Sequence, residues 1–250
     1  LAKKSLQSEK RRNLMVVIAV ALASCLICFS IVMALSTRQI EKNHVEDTYE
    51  AVYTKITEED VSTLKGLDDF SRVGEYYMLA VEPAEQGYNA SYIYCDEETM
   101  YIARDQMKLL EGRLPQKEDE VVVSRYFLSN YGADAGIGEK VMLSSESFHG
   151  EYTVTGIMEG YKEKEVNGTS ILLSKEALKG WSGYDPADYR AYVHFKNEQQ
   201  MDETELTARS REIAKEYQLE MPVMNLSYMK FYKQPVNCLL YTSDAADDLI

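Results

Sequence analysis

The residues most able to do chemistry do not have the spacings of a recognisable active site. His44, His149 and His194 are far apart, with no H-E-x-x-H motif and no cysteine at zinc-binding spacing. The stretch "GADAGIGEKV" comes nearest to a phosphate-binding loop, but Glu139 replaces the second glycine and Val141 replaces the serine or threonine. No G-x-S-x-G nucleophile elbow occurs. We therefore predict no catalytic residue, no metal, no cofactor and no enzymatic activity.

Two acidic clusters, residues 96–98 and 118–120, could suggest paired carboxylates or a calcium loop. They lack the glycine-punctuated oxygen spacing of a calcium loop, so solvated acidic turns are the favoured interpretation. Asn89, Asn167 and Asn225 each match N-x-[ST], a pattern short enough to recur by chance. The many tyrosines suit strand packing better than ligand stacking, although an exposed subset could bind a peptide.

The cysteines do not indicate a disulfide framework. Cys25 and Cys28 form a C-x-x-C inside a long apolar run, where a redox pair would lack an accessible thiolate. Cys95 lies in a strand-like run with tyrosines and isoleucine, so we predict that it is buried. Cys238 lies in the C-terminal tail, which breaks the pattern of the preceding residues.

Residues 14–35 form an apolar run of 22 residues without charge, proline or glycine. About 20 apolar residues are enough to cross the hydrocarbon core as a helix, so we predict a transmembrane helix here. A cleaved signal peptide is the alternative, because residues 34–36 loosely resemble a cleavage site. The run is, however, longer than the apolar region of a signal peptide.

Charge is distributed unevenly around this run. Five basic residues against Glu9 give residues 1–13 a charge of +4, whereas the whole chain carries −14. The positive-inside rule therefore places the N-terminus in the cytoplasm and the acidic bulk of the chain outside the cytoplasmic membrane. Because the chain beyond residue 13 is strongly acidic, it repels nucleic acid, and no nucleic-acid partner is expected.

No glycine or proline occurs before Gly66, so the membrane helix can continue as a helical stalk over residues 36–48. A helix from Leu14 to about Thr48 would be about 50 Å long at about 1.5 Å per residue. That length exceeds the roughly 30 Å hydrocarbon core. We predict that the excess is a rigid rod joining the bilayer to the outer domain.

Short strands and helices alternate beyond the stalk. The predicted strands are residues 50–56, 72–81, 90–95, 120–124, 140–144, 151–158, 169–174, 189–195 and 224–232. The predicted helices are residues 57–67, 103–112, 127–132 and 202–217, with Gly112 ending the second. By period two, Tyr152, Val154, Gly156 and Met158 should share one face of their strand. The pattern predicts an α+β domain with a small β-barrel-like inset.

Five stretches follow one another in a definite order: "GRLPQKEDEVVVS", "FLSNYG", "IGEKVML", "EYTVTGIM" and "ILLSKEAL". This set resembles the MacB-like periplasmic core domain of FtsX-type ABC transporter permeases, as does the basic start before a membrane helix. The resemblance covers about residues 1–234. The positions that carry it are Gly112, Arg113, Pro115, Glu120, Ser124, Gly138, Tyr152, Val154, Gly156 and Ile157.

The resemblance implies a permease subunit whose first membrane helix precedes a large outer domain and three further helices. It implies three partners: a cytoplasmic ABC ATPase, a second permease copy or homologue, and membrane lipid. ATP-driven closure would be relayed as motion of the outer domain, with the substrate left open between peptide, lipoprotein and drug-like molecules. Gly112 and Pro115 would set a tight turn, and Arg113 would pair with an acid such as Glu120. The alternative interpretation of this stretch is an ordinary turn with a solvated arginine.

These observations divide the chain into five predicted parts. They are a cytoplasmic basic segment (1–13), the transmembrane helix (14–35), the stalk (36–48), the extracytoplasmic core domain (49–234) and a tail expected to be non-native (235–250). Two other functions stay open at this point. One is a single-pass membrane-anchored sensor or ligand-binding protein, and the other is an anchored extracellular enzyme.

Overall fold

The computed structural model describes residues 2–85, 87–104, 106–130, 135–160, 163 and 167–233. The chain divides into two compact units, residues 1–44 and 45–250. The predicted tail at residues 235–250 lies outside the described residues.

Helix α1 spans Ala2–Val45 and carries the predicted membrane segment. Its part Arg12–Ile40 is long and apolar enough to cross a membrane, with a mean hydropathy of 2.9 and no buried residues. The hydroxyl groups of Ser24, Ser30 and Thr37 each donate to the backbone carbonyl four residues earlier. These bonds satisfy the polar side chains within the helix itself, as an apolar environment requires.

Helix α1 ends at Val45, three residues before its predicted end. Asp47 takes a φ of 53°, which is outside the helical region. The backbone N–H and the hydroxyl of Thr48 both donate to the Val45 carbonyl, at 3.3 and 2.9 Å. The last turn is therefore closed by a left-handed residue and a threonine side chain.

The second unit contains ten strands and a set of short helices among its described residues. The strands are β1 (Ala51–Ile56), β2 (Phe70–Pro83), β3 (Asn89–Cys95), β4 (Met107–Gly112), β5 (Glu120–Ser124), β6 (Lys140–Ser144), β7 (His149–Gly160), β8 (Gly168–Leu173), β9 (Tyr189–Phe195) and β10 (Val223–Met224). The helices are α2 (Glu58–Lys65), α3 (Glu97–Ile102), α4 (Arg125–Asn130), α5 (Lys175–Gly180), α6 (Glu203–Glu216) and α7 (Leu226–Tyr228), with a 3₁₀ turn at Glu198–Gln200 and a π-helical turn at Met229–Lys233.

The strands form one mixed sheet in the order β10-β1-β9-β2-β3-β8-β5-β7-β4, with β6 paired to β7. The pairs β3–β8 and β5–β7 are parallel, and the other pairs are antiparallel. The predicted α+β class is therefore confirmed, whereas a separate barrel-like inset is not confirmed.

Apolar clusters pack on both sides of this sheet. Successive residues of β5 enter different clusters, because Val121 and Val123 belong to the larger cluster and Val122 to the smaller. All five residues of β5 are buried. A strand covered on both faces is expected to be apolar throughout, which explains the unbroken valine run.

Two helices begin at the capping boxes that their sequences encode. In α2 the Thr57 hydroxyl accepts from the Asp60 N–H, and the Asp60 carboxylate accepts from the Thr57 N–H. In α6 the same reciprocal pair joins Asp202 and Glu205. These contacts satisfy N–H groups that a helix start would otherwise leave without partners.

Two predicted elements are wrong. Residues 103–112 are not a helix, because the helical turn comes earlier as α3, capped by Asp96, and Met107–Gly112 is strand β4 paired with β7. Residues 224–232 are not a strand, because β10 has only two residues. The Asn225 side chain then accepts from the Tyr228 N–H and starts a helix.

The predicted common face of β7 is also wrong. Val154 lies opposite Val121, but the next pair joins Gly156 to Val122, so Thr155 is an extra residue. Such a bulge reverses the alternation of side chains. Val154 and Ile157 therefore pack on the larger cluster, whereas Met158 belongs to the smaller cluster on the other face.

Candidate functional site

Two glycines meet where β4 pairs with β7. Gly112 has a φ of 82° and lies opposite Gly156. A Cβ atom on Gly112 would lie 2.2 Å from the Thr155 carbonyl oxygen, and one on Gly156 would lie 2.8 Å from the Arg113 carbonyl oxygen. Both distances are shorter than van der Waals contact, so glycine is required at both positions.

The predicted Arg113–Glu120 ion pair is present. The guanidinium donates to both carboxylate oxygens, at 2.8 and 2.7 Å. Glu120 also accepts from the backbone N–H groups of Gln116 and Lys117, at 2.8 and 3.3 Å. The Arg113 hydrogen bonds, helped by these backbone donors, lower the pKa of Glu120 to about 2. Glu120 is thus a buried, fully engaged carboxylate rather than part of a solvated acidic turn.

The turn predicted between Gly112 and Pro115 lies further along the chain. Residues 113–116 form no regular element, and the chain reverses after them, where the Glu120 N–H donates to the Lys117 carbonyl at 3.1 Å. The Arg113 N–H donates to the Thr155 carbonyl at 2.9 Å, which fixes the loop to β7. We call residues 113–120, with these bonds, the signature loop.

The remaining signature residues lie on β5, in the turn before β6 and on β7. Ser124 accepts from the Phe127 N–H at 3.0 Å, which caps α4, and shares a 2.7 Å hydrogen bond with the Thr169 hydroxyl. Gly138 has a φ of 88°, and its N–H donates to the Val154 carbonyl at 2.8 Å. Tyr152 packs against the larger cluster. The structure thus brings these residues together around β7, where their contacts are with the backbone and side chains of the fold itself.

The acidic cluster at residues 96–98 also has a structural role. Asp96 accepts from the N–H groups of Thr99 and Glu75, both at 2.9 Å, and pairs with the Lys65 ammonium at 2.9 Å. The predicted burial of Cys95 is confirmed. Over the part of the chain that the structure describes, no group of three His, Cys, Asp or Glu side chains could hold a metal ion.

A second set of contacts holds residues 45–50, which we call the junction segment because they follow α1. The Tyr49 N–H donates to the Ile102 carbonyl and the Glu50 N–H to the Val193 carbonyl, both at 3.0 Å. The Arg104 guanidinium bonds the Glu46 carbonyl. The Gln106 amide bonds the Tyr49 hydroxyl. The junction segment is therefore bound to α3 and its following loop as well as to β9.

Asn225 ties the junction segment to the C-terminal part of the unit. Its side-chain amide donates to the Tyr49 carbonyl at 2.9 Å, and its backbone N–H donates to the Glu50 carbonyl at 2.8 Å. Its side-chain oxygen accepts from the Tyr228 N–H, at 3.2 Å. One buried side chain thus joins the residues after α1 to the start of α7.

Glu50 and His194 form a buried pair within the same site. Glu50 is completely buried, and its carboxylate contacts the His194 Nδ1 at 2.7 Å and accepts from the Phe195 N–H at 2.8 Å. His194 also hydrogen-bonds the Thr48 backbone, and the carboxylate and this bond raise the pKa of the imidazole against the effect of burial. The raised pKa indicates that this environment favours the imidazolium.

The junction contacts could not be read from the sequence. Glu50, His194 and Asn225 are far apart in the chain, and each alone is an ordinary polar residue in a β-rich stretch. Asn225 matches the short N-x-[ST] pattern, but its side chain is buried and hydrogen-bonds Tyr49 and Tyr228. Correlated changes between these positions in related sequences would be the signal that could reveal them.

The described chain thus combines a long apolar helix, one mixed sheet and a glycine-mediated strand pair. The family model of the MacB-like periplasmic core domain matches residues 14–211. The chain belongs to this family. The resemblance to MacB-like ABC transporter permeases is thereby confirmed.

Two solved structures show the same fold. The extracellular domain of the noncanonic ABC-type transporter YknZ from Gram-positive bacteria is 15% identical, with a TM-score of 0.50, and the match covers 71% of this chain and 100% of that domain. The periplasmic region of MacB from Actinobacillus actinomycetemcomitans is 11% identical, with a TM-score of 0.50, and the match covers 74% of this chain and 92% of that one. A search of curated protein sequences finds no significant match.

Proposed function

We propose that this chain is part of an ABC transporter permease and relays ATP-driven motion between the membrane and its extracytoplasmic domain. The observation that carries the proposal is the junction segment, in which the backbones of Tyr49 and Glu50 are bound to α3, β9 and Asn225. A segment held on several sides transmits displacement, whereas a flexible linker absorbs it.

The family match supports a retained membrane helix, because the matched region begins at residue 14 and so includes the apolar run. It also favours the permease over a single-pass sensor. With the basic residues of the N-terminal segment, the positive-inside rule places the N-terminus in the cytoplasm and the second unit outside. We place the boundaries at residues 13, 35 and 234, as the sequence predicts, and we end the helical stalk at Val45, where α1 ends.

The proposed partners follow from this role. A separate cytoplasmic ABC ATPase would hydrolyse ATP, and a second permease copy or homologue would complete the transporter in the lipid bilayer. The signature loop and the β4–β7 pair would keep the outer domain stiff, so that motion arriving at the junction segment moves the whole sheet. The transported substrate is a peptide, a lipoprotein or a drug-like molecule.

The test uses the intact permease reconstituted with its ATPase and compares hydrogen exchange of the outer domain with and without ATP. We expect an ATP-dependent difference in the wild type. In Asn225→Ala most of that difference should be lost while ATP hydrolysis continues, because the junction segment loses the side-chain hydrogen bond from Asn225 to the Tyr49 carbonyl. Asn130→Ala is the matched control, since Asn130 is exposed on α4 and its side-chain amide donates to the nearby Tyr126 carbonyl.

Two outcomes would contradict the proposal. One is a wild-type outer domain whose exchange is the same with and without ATP. The other is an Asn225→Ala variant that keeps the full ATP-dependent difference although the Tyr228 amide, which bonds the Asn225 side chain, has lost protection.

A further inference from the structure

The Glu50–His194 pair lies at the centre of the junction contacts, and the relay does not by itself require a titratable group there. Glu50 has no exposed surface, and the His194 side chain is 14% exposed. His194 also lines an open cleft of about 390 Å³ with Ser71, Lys196, Asn197 and Glu198 among its walls. A proton can therefore reach the ring from solvent, although the carboxylate behind it cannot be reached.

The Nδ1 atom of His194 contacts the Glu50 carboxylate at 2.7 Å. The protonated imidazolium therefore supplies both a hydrogen bond and a positive charge to this carboxylate. Loss of the proton leaves the Glu50 charge buried without a cation, which is unfavourable in a low-dielectric site.

The other charged and titratable groups around the pair do not replace the imidazolium. The negative charge of Glu198, on the 3₁₀ turn, raises the pKa of His194 and so favours the charged imidazole. Burial raises the pKa of Tyr228 on α7, and this phenol therefore stays neutral. The nearby cations have other partners. Arg72 lies opposite His194 on β2 and pairs with Glu98, and Lys196 pairs with Asp68. The Lys233 ammonium bonds the carbonyls of Glu198 and Met201.

We propose that Glu50 and His194 form a proton-dependent latch that holds the junction segment when His194 is protonated and loosens it when the proton leaves. The relevance of the latch to transport rests on the proposed relay, whereas its existence does not. The latch would make mechanical coupling depend on the pH outside the membrane.

The direction of the pH dependence follows from the pKa shifts. The pKa of His194 is raised above 6.5 by Glu50 and the Thr48 backbone, and burial raises the pKa of Glu50 above 4.5. A raised pKa in the folded state stabilises the fold at low pH, and this contribution is lost as the pH rises through the folded-state value. The latch is therefore closed below pH 6.5 and opens as the pH rises through the raised pKa of His194.

The experiment is hydrogen exchange of the full chain in detergent micelles between pH 6 and 9, corrected for the intrinsic pH dependence of exchange. The readouts are the Tyr49 and Glu50 amides, which bond Ile102 and Val193. Linkage to one proton predicts that their opening constant rises by up to about tenfold per pH unit. Amides of β5 serve as an internal reference for the rest of the sheet.

His194→Gln should make the opening constant independent of pH, because the amide can bond Glu50 but does not titrate. His149→Gln is the matched control, since His149 is exposed at the start of β7, and it should behave like the wild type. If β5 loses protection in His194→Gln, Glu50→Gln replaces it as the test variant. A wild-type opening constant that is flat across this pH range would overturn the latch, as would a folded test variant with the wild-type slope. Neither result bears on the ATP-dependent exchange that tests the relay.

Discussion

At the scale of single residues, Glu120 organises the signature loop. Four hydrogen bonds converge on its carboxylate, two from Arg113 and two from the backbone N–H groups of Gln116 and Lys117. The carboxylate is buried while the guanidinium is half exposed. The loop is consequently fixed by a charge that must stay ionised.

We predict that Glu120→Gln lowers the free energy of unfolding of the second unit by about 1–3 kcal/mol at pH 7, the range for lost hydrogen bonds to a charged group. The lowered pKa of Glu120 adds stability that is present above pH 4.5 and is lost as the pH falls towards about 2. The difference between variant and wild type should therefore shrink below pH 4.5. Urea unfolding followed by Trp181 fluorescence measures it, because Trp181 is the only tryptophan.

Glu118→Gln is the control for this prediction, since Glu118 is an exposed acid in the same loop. It removes the same charge without removing the buried contacts, and surface substitutions of this kind usually change stability by less than about 0.5 kcal/mol. Equal effects of the two substitutions at pH 7, or a Glu120→Gln effect that stays constant down to pH 3, would show that the convergent hydrogen bonds do not stabilise the loop.

At the scale of elements, the β4–β7 pair depends on the close approach of two backbones. A Cβ atom at position 156 would lie 2.8 Å from the Arg113 carbonyl and 3.0 Å from the Glu111 carbonyl. We predict that Gly156→Ala costs about 1–3 kcal/mol of stability and loosens β4, because strand backbones must move apart. Protection of the Arg113 amide, which bonds the Thr155 carbonyl, reports the movement by hydrogen exchange.

Gly136→Ala provides the comparison for the strand pair. A Cβ atom there would meet only the Glu139 carboxylate, at 3.9 Å. The substitution should be neutral or stabilise the fold by up to about 1 kcal/mol, because alanine restricts the unfolded chain. If Gly156→Ala proved as harmless as Gly136→Ala, the close approach of β4 and β7 would not be a structural requirement.

Elements whose determinants are local in sequence could be predicted, and those set by distant contacts could not. The capping boxes at Thr57 and Asp202 mark their helices because donor and acceptor are three residues apart. Strand β4 was predicted as a helix because its alternation is weak, and its conformation comes from pairing with β7 some fifty residues later. The Thr155 bulge likewise depends on register against β5.

The contacts of the candidate site also separate into local ones, which could be predicted, and distant ones, which could not. The Arg113–Glu120 pair could be predicted from the family resemblance, which implies that the arginine of this short loop pairs with an acid such as Glu120. The Glu50–His194 and Tyr49–Asn225 contacts join residues 144 and 176 positions apart. A single sequence contains nothing that links such positions, since their proximity follows from the order of strands in the sheet.

At the scale of the whole molecule, the sheet order brings the start of the second unit next to residues 223–224. Strand β1, which follows the junction segment, pairs with β9 and with β10, near the C-terminal end of the described chain. The outer domain is therefore held at its entry and near its exit by the same edge of the sheet. Motion that reaches that edge would reach the remaining strands through continuous pairing.

The last prediction concerns orientation in the membrane. The basic residues before α1 should keep the N-terminus in the cytoplasm, so the second unit should be accessible from outside. In a Cys238→Ser background, a membrane-impermeant maleimide should label Ser129→Cys in intact cells, because Ser129 is exposed on α4. Ser8→Cys should be labelled only after the membrane is permeabilised.

The unmodified background is the control, since Cys95 is buried and Cys25 and Cys28 lie within the segment Arg12–Ile40. It should remain unlabelled in intact cells, so that any labelling reports the introduced cysteine. Labelling of Ser8→Cys but not Ser129→Cys in intact cells would reverse the orientation and place the second unit in the cytoplasm. If cleavage near residue 36 released the labelled Ser129→Cys domain fully into the medium, the result would instead support the signal-peptide alternative. A retained helix keeps the labelled domain with the membrane fraction.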